Sequence, residues 1–142
     1  MLKEKLQFNA INGVAYTGQN KDQLGVSGYC VPLRISKPWG YELIYQNQEL
    51  YCCKLLHINK NSSCSYHLHL EKHETLTVVK GTLYIDSIIN KEPKLFVVAP
   101  GQSFVIAPGF IHSLRAESEE VELIESSTPS YYSDSIRIAN GN

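Results

Sequence analysis

Residues 67–81 read HLHLEKHETLTVVKG. His67 and His69 stand two apart, Glu74 follows five residues later, and Gly81 closes an apolar run. In an extended strand, residues i and i+2 share a face, roughly 7 Å apart along the backbone. Two imidazoles at this spacing can turn toward one point, where a carboxylate from the next strand can meet them. Neutral imidazole with carboxylate is a donor set for Zn, Mn, Fe, Ni or Cu rather than for Ca or Mg. The stretch predicts a metal site inside a small β-barrel.

The surrounding chain carries the same β texture. From Tyr29 onward short β-rich runs (YCVPLRI, YELIYQ, LYCCKLLHI, TLYIDSII, KLFVVA, SFVIA, IHSLRA, VELIES) alternate with turn signals at Lys37-Pro38-Trp39-Gly40, Asn59–Ser62, Asn90–Pro93, Pro100-Gly101 and Pro108-Gly109. Many short strands punctuated by Gly and Pro predict an all-β sandwich or barrel. No stretch shows a long 3.6-residue apolar period with caps at both ends, so helix content should be low. The 142 residues suffice for one domain with a real core. They divide into an N-terminal arm (1–28), a barrel (29–128) and a C-terminal tail (129–142), the last adding an edge strand through Ser135–Ile138 before fraying. Runs such as Leu50–Ile58 are apolar on both faces, which predicts a second sheet layer or a homodimer.

Composition excludes several classes. The net charge is −1 with both signs scattered, so there is no basic patch to bind nucleic acid. No apolar run reaches membrane-spanning length. The opening MLKEKLQFNA has neither the apolar stretch nor the small-residue site of a signal peptide, which makes a cytoplasmic location the expectation. The four cysteines, Cys30, Cys52, Cys53 and Cys64, form no CxxC pair and read as reduced, partly buried thiols. Cys64 stands three residues before His67.

A further ligand lies downstream. The run GQSFVIAPGFIH ends in His112, and its Pro108-Gly109 turn would start a new strand there. Together these segments resemble the cupin family. The first cupin motif, G-x5-H-x-H-x4-E-x6-G, falls on Asn61, His67, His69, Glu74 and Gly81, with Asn61 replacing the first Gly. The second, G-x5-P-x-G-x2-H-x3-N, falls on Gly101, Ala107, Gly109, His112 and Ala116, with its Pro displaced to Pro108 and its final Asn lost. The resemblance spans roughly residues 37–127. It implies a single-domain jelly-roll barrel with a divalent transition metal held by His67, His69, Glu74 and His112. His57 and His73 match no motif position and read as structural and as a surface residue or outer neighbour of the site.

A narrower resemblance points to mannose-6-phosphate isomerase-type cupins. Lys37-Pro38-Trp39-Gly40-Tyr41-Glu42 resembles their K/R-P-W-G opening. Glu125-Ser126-Ser127-Thr128-Pro129, with Asp134, Ile136 and Arg137, resembles their E-x-S-T-P…D-x-x-R segment. Two features depart from that group: His67 stands where Gln is common, and the D-x-Y-G-R ending is replaced by Ala139-Asn140-Gly141-Asn142. The resemblance implies an aldose–ketose isomerase or epimerase acting on a small sugar or sugar phosphate, with Zn or Mn polarising the carbonyl. Such a reaction needs a base facing the barrel interior, and Glu42, Lys54, Tyr84 and Glu125 are the candidates. Lys54 is either a solvated edge lysine or a base whose pKa burial lowers. A substrate phosphate would want Arg115 or Arg137 at the rim, with Lys37 as a strand cap. Trp39 reads either as a core plug or as a wall of the substrate site. Two other classes fit the same ligands: a dioxygenase using Fe, Ni or Cu, and a non-catalytic sugar- or metal-binding cupin.

Overall fold

The computed structural model describes residues 27 and 29–139, so the arm assigned to residues 1–28 lies outside the described residues apart from Ser27. Eleven strands make up nearly all of the ordered structure: β1 (Leu33–Lys37), β2 (Gly40–Asn47), β3 (Cys52–Ile58), β4 (Tyr66–His69), β5 (Glu74–Lys80), β6 (Leu83–Ile89), β7 (Glu92–Val98), β8 (Ser103–Ile106), β9 (His112–Arg115), β10 (Val121–Ser127) and β11 (Ser135–Ala139). One 3-10 turn, Tyr132–Asp134, is the only helical piece among the described residues. No helix there is long and apolar enough to cross a membrane.

The strands form two sheets, ordered β1-β2-β3-β10-β5-β8 and β11-β4-β9-β6-β7, with every pairing antiparallel. Sequence neighbours repeatedly fall in opposite sheets, as β3 to β4, β4 to β5 and β9 to β10 do. The expected all-β jelly roll is therefore the observed architecture. The tail residues after 129 contribute more than an end: β11 is hydrogen-bonded along β4, with Ser135 opposite His69 and Arg137 opposite His67.

Side-chain alternation builds the interior. On β3 the inward residues are Lys54, Leu56 and Ile58; on β10, Glu125, Leu123 and Val121; on β5, Glu74, Leu76 and Val78. Each strand thus places a charge at one end of its inward face and aliphatics at the other. The aliphatic ends meet Leu83, Ile85 and Leu114 from the facing sheet in one core, flanked by Trp39, Phe96, Phe104 and Phe110. Burying each such aliphatic side chain contributes about 1.5–3 kcal/mol. The charged ends open into the barrel mouth.

Turns fix these registers. Asn61, standing where the motif has glycine, has φ of 57°, a left-handed conformation that Asn tolerates better than most residues. Gly81, between β5 and β6, has φ of +79°, and a Cβ there would lie 2.3 Å from the Glu120 carbonyl oxygen. Gly109 has φ of +84° with open space around its Cα. Gly109→Ala should therefore cost only the backbone strain, about 1–2 kcal/mol, whereas Gly81→Ala adds a collision with main chain and should destabilise more. Urea unfolding of the two variants checks the order; equal losses would contradict it.

Candidate metal centre

Three chain segments meet at the mouth. His67 and His69 lie on β4, His112 opens β9 directly opposite His67, and Glu74 opens β5 from the facing sheet. The short turn 70–73 carries the chain from one sheet to the other between His69 and Glu74. Ligating nitrogens of the three histidines all lie within 4.8 Å of one another. The Glu74 carboxylate reaches into the same space, with Oε1 3.5 Å from His112 Nε2 and Oε2 3.7 Å from His69 Nε2.

Neighbouring backbone fixes which nitrogen faces inward. His67 Nδ1–H donates to the Ser65 carbonyl and His112 Nδ1–H to the Phe110 carbonyl, both at 2.8 Å. Each bond leaves Nε2 as the free lone pair. Burial, then the nearby His112, depresses the His67 pKa to about 4, and burial, then Lys72, depresses that of His69 to about 3. Both rings are neutral at physiological pH, as a metal ligand must be. His112 Nε2 is a buried polar atom without a hydrogen-bond partner. Orphaned acceptors of this kind are uncommon inside proteins, and three imidazoles with one carboxylate fit a divalent transition metal. The residues present fit the group that the sequence motif implies.

Behind the ligands stands a buried charge network. Lys72 Nζ lies 3.0 Å from Glu74 Oε2 and 2.6 Å from Glu125 Oε2, and its side chain is 3% exposed. Lys54 Nζ lies 3.5 Å from Glu42 Oε2. Burial would raise the Glu42 pKa, but Lys54, Lys37 and Lys72 outweigh it and hold the carboxyl below its usual range. Burial would lower the Lys54 pKa, yet Glu42 and Glu125 drive it well above the ordinary lysine value. Lys54 is thus neither a solvated edge residue nor a lysine made neutral by desolvation. It is a buried, protonated ion-pair partner.

These groups line a cleft of about 230 Å³ together with the histidines. Trp39, Glu42, Lys54, Glu125 and Arg137, all singled out in the sequence, border it, and so does Lys37, 4.0 Å from Glu42 Oε1. Trp39 both packs on the core and faces the cleft. Two sequence candidates lie elsewhere. Tyr84 and Arg115 pair with each other across β6 and β9 on the outer face, where Arg115 binds Asp86 at 2.7 Å and Glu117 at 2.6 Å and sits 5.0 Å over the Tyr84 ring. The inward residues of those strands are Leu83, Ile85, His112 and Leu114, so parity turns Tyr84 and Arg115 away from the site. His57 faces outward as well, stacked on Tyr41 and flanked by Glu120 and Glu122. His73 is exposed. Cys64 borders the cleft, and its Sγ accepts the Leu114 N–H.

Sequence reading missed Lys72 as a site residue and gave Asp134 no role. Lys72 lies in a loop with no period to orient it, and Asp134 lies more than 60 residues beyond its partners His69, Glu71 and Lys72. Asp134 faces His69 Nδ1 at 3.7 Å.

The cupin family profile matches residues 41–140, well over half of the chain. The chain is a cupin. Solved structures agree on the fold. Oxalate decarboxylase from Bacillus subtilis superposes with a TM-score of 0.64 at 13% identity, over 74% of this cupin and 29% of that chain. The capsular polysaccharide assembling protein CapF of Staphylococcus aureus gives 0.66 at 15% identity, over 76% and 32%. Oxalate decarboxylase from Lactobacillus farciminis, in a formate complex, gives 0.63 at 16% identity, over 74% and 33%. This cupin therefore spans about a third of the length of these proteins, and at such identities the likeness is one of fold. No curated protein matches it in sequence.

Two outcomes follow from the geometry. His69→Ala and His112→Ala should each abolish stoichiometric metal uptake, measured by elemental analysis after reconstitution; full occupancy in both would remove the site as described. For the metal-free protein, His67 and His69 stay neutral in the fold down to pKa values of about 4 and 3, whereas unfolded histidine takes a proton near about 6.5. The unfolded state binds more protons between those values, so stability is full above about pH 6.5 and falls as the pH drops toward 4. His67→Gln should flatten that slope in thermal melts recorded from pH 7 to 4.

Proposed function

We infer that this cupin is a metal-dependent enzyme that isomerises or epimerises a small sugar or sugar phosphate. One observation carries the reading: the inward ends of β2, β3 and β10 place Glu42, Lys54 and Glu125 on the cleft wall, beside the three histidines. Buried ion pairs contribute little to stability compared with apolar residues of similar size. Charges whose titration is shifted, as for Glu42 and Lys54, in a cleft beside a donor cluster support a reaction site there. Both stretches that resemble sugar-phosphate isomerases also border this cleft, the first through Lys37, Trp39 and Glu42, the second through Glu125 and Arg137. CapF, by its name, assembles a capsular polysaccharide.

His67, His69, Glu74 and His112 would hold the ion, with Zn or Mn as the proposed metal. A divalent ion there supplies Lewis-acid polarisation of substrate oxygens. The chain supplies the rest. Trp39 offers a flat apolar wall to a sugar ring, and Ser65 and Ser130 add polar groups to the lining. Arg137 has no ion-pair partner among the described residues and stands ready for a substrate anion at the rim. Glu42 and Glu125 are the carboxylates placed to take and return a carbon-bound proton. Lys54, held protonated, donates hydrogen bonds and steadies negative charge rather than acting as the base.

Oxygen chemistry is the rival reading, since the same donor set also suits Fe, Ni or Cu. The test is to measure metal content, oxygen uptake and solvent exchange together on phosphorylated aldoses and ketoses in D₂O. Isomerisation predicts bound Zn or Mn, no oxygen consumption, and deuterium entering the C–H next to the carbonyl, read by NMR. Glu42→Gln or Glu125→Gln, whichever removes the base, should slow that exchange by about 10²–10⁴-fold with metal still bound. Oxygen consumption with no exchange would replace this reading with a dioxygenase, and metal binding with neither would leave a binding module.

A further inference from the structure

The three histidines are not oriented alike. His67 and His112 each hand their outer nitrogen to the carbonyl two residues earlier, a contact supplied by the chain just ahead of their own strand. His69 has no such local acceptor, and its Nδ1 is buried without a hydrogen-bond partner. The group facing that atom is the Asp134 carboxylate, with Oδ2 3.7 Å away. Asp134 is 5% exposed and belongs to the 3-10 turn leading into β11.

The same carboxylate is anchored in place. Asp134 Oδ1 accepts the Glu71 N–H at 2.7 Å and Oδ2 accepts the Lys72 N–H at 3.1 Å, while its carbonyl accepts the Leu70 N–H at 2.9 Å. These are the backbone donors of the turn that joins His69 to Glu74. One side chain therefore holds the turn between two ligands and faces the outer nitrogen of one of them. A second contact from the same end of the chain touches the turn without facing any ligand: Thr128 Oγ1 accepts the His73 N–H at 3.0 Å.

From this we propose that Asp134 is the positioning residue for His69, so that the C-terminal segment completes the metal centre of the barrel. The inference rests on the metal-binding reading of the site. A carboxylate on the outer nitrogen fixes the ring with its proton on Nδ1, aims Nε2 into the mouth and makes it a stronger donor. Two ligands are thus set by local backbone and the third by a residue from the far end of the fold. β11 carries Arg137 to the cleft in the same docking, opposite His67.

The test compares the full native chain with Asp134→Asn and Thr128→Ala, using Co(II) as the probe. Asp134→Asn keeps an oxygen for the turn but loses the charge facing His69. It should weaken Co(II) affinity by about 10- to 100-fold and alter the visible spectrum of the bound ion. Thr128→Ala loosens the same turn and should leave affinity and spectrum unchanged, whatever its melting temperature. Ring nitrogen NMR of the metal-free native chain gives a readout independent of any variant's folding: His69 should carry its proton on Nδ1. Native-like Co(II) binding by Asp134→Asn, equal losses in both variants, or a His69 proton on Nε2 would each overturn the assignment. Failure of the native chain to bind Co(II) at all would instead overturn the metal-site reading, and the NMR result would still stand or fall alone.

Discussion

Glu74 is a carboxylate with 2% of its surface exposed, at the point where one sheet hands the chain to the other. Burial alone would force a proton onto it. Lys72 and the imidazoles of His112 and His69 outweigh that cost and hold its pKa below the ordinary carboxylate range. Lys72 in turn is kept charged by Glu125 and Glu74 against its own burial. Removing one member leaves its partner as a less well paired buried charge, which costs several kcal/mol. The barrel mouth is thus a single electrostatic unit, and the strands that carry it must close together. Its cohesion accounts for the polar ends of strands whose other ends are purely aliphatic.

That division of each strand made much of the fold legible in the sequence. The alternation Glu74-Leu76-Val78 and the reversed Val121-Leu123-Glu125 both put charge and aliphatics on one face, and the structure turns both faces inward. His67 and His69 share a face because they are two apart, and His112 meets them because β9 lies against β4. Counting by twos from His112 also marks Leu114 and Ala116 as inward and Arg115 as outward. The outer placement of Arg115 was therefore available from parity. It was obscured because a guanidinium near a ligand looks like a phosphate anchor. Tyr84 misled for a related reason: aromatic residues occupy both faces of the five-stranded sheet, so type alone does not choose a side.

Lys72 and Asp134 could not be reached this way. A four-residue turn has no periodicity, and a lysine beside Glu71 reads as a solvated charge until the turn is seen folded into the mouth. Asp134 acts on residues more than sixty positions earlier through backbone donors that every sequence possesses. Only the pairing of β11 with β4 brings it there, and nothing in the composition of SIRIA requires that partner. Long-range contacts through main-chain N–H groups leave no residue-type signature at the receiving end.

The position of β11 also bears on how such a small barrel keeps its mouth in order. β4 is four residues long, and its partner on the other side, β9, meets it only at His67 and His112. A strand that short has few ladder hydrogen bonds of its own, and two of its four side chains are spent as ligands rather than on the core. β11 supplies the missing ladder along its full length, from Ser135 opposite His69 to Ala139 opposite Tyr66. Metal-site geometry needs tolerances far tighter than core packing does. A ligand strand that gives up core contacts must therefore gain rigidity from hydrogen bonding, and here the end of the chain provides it.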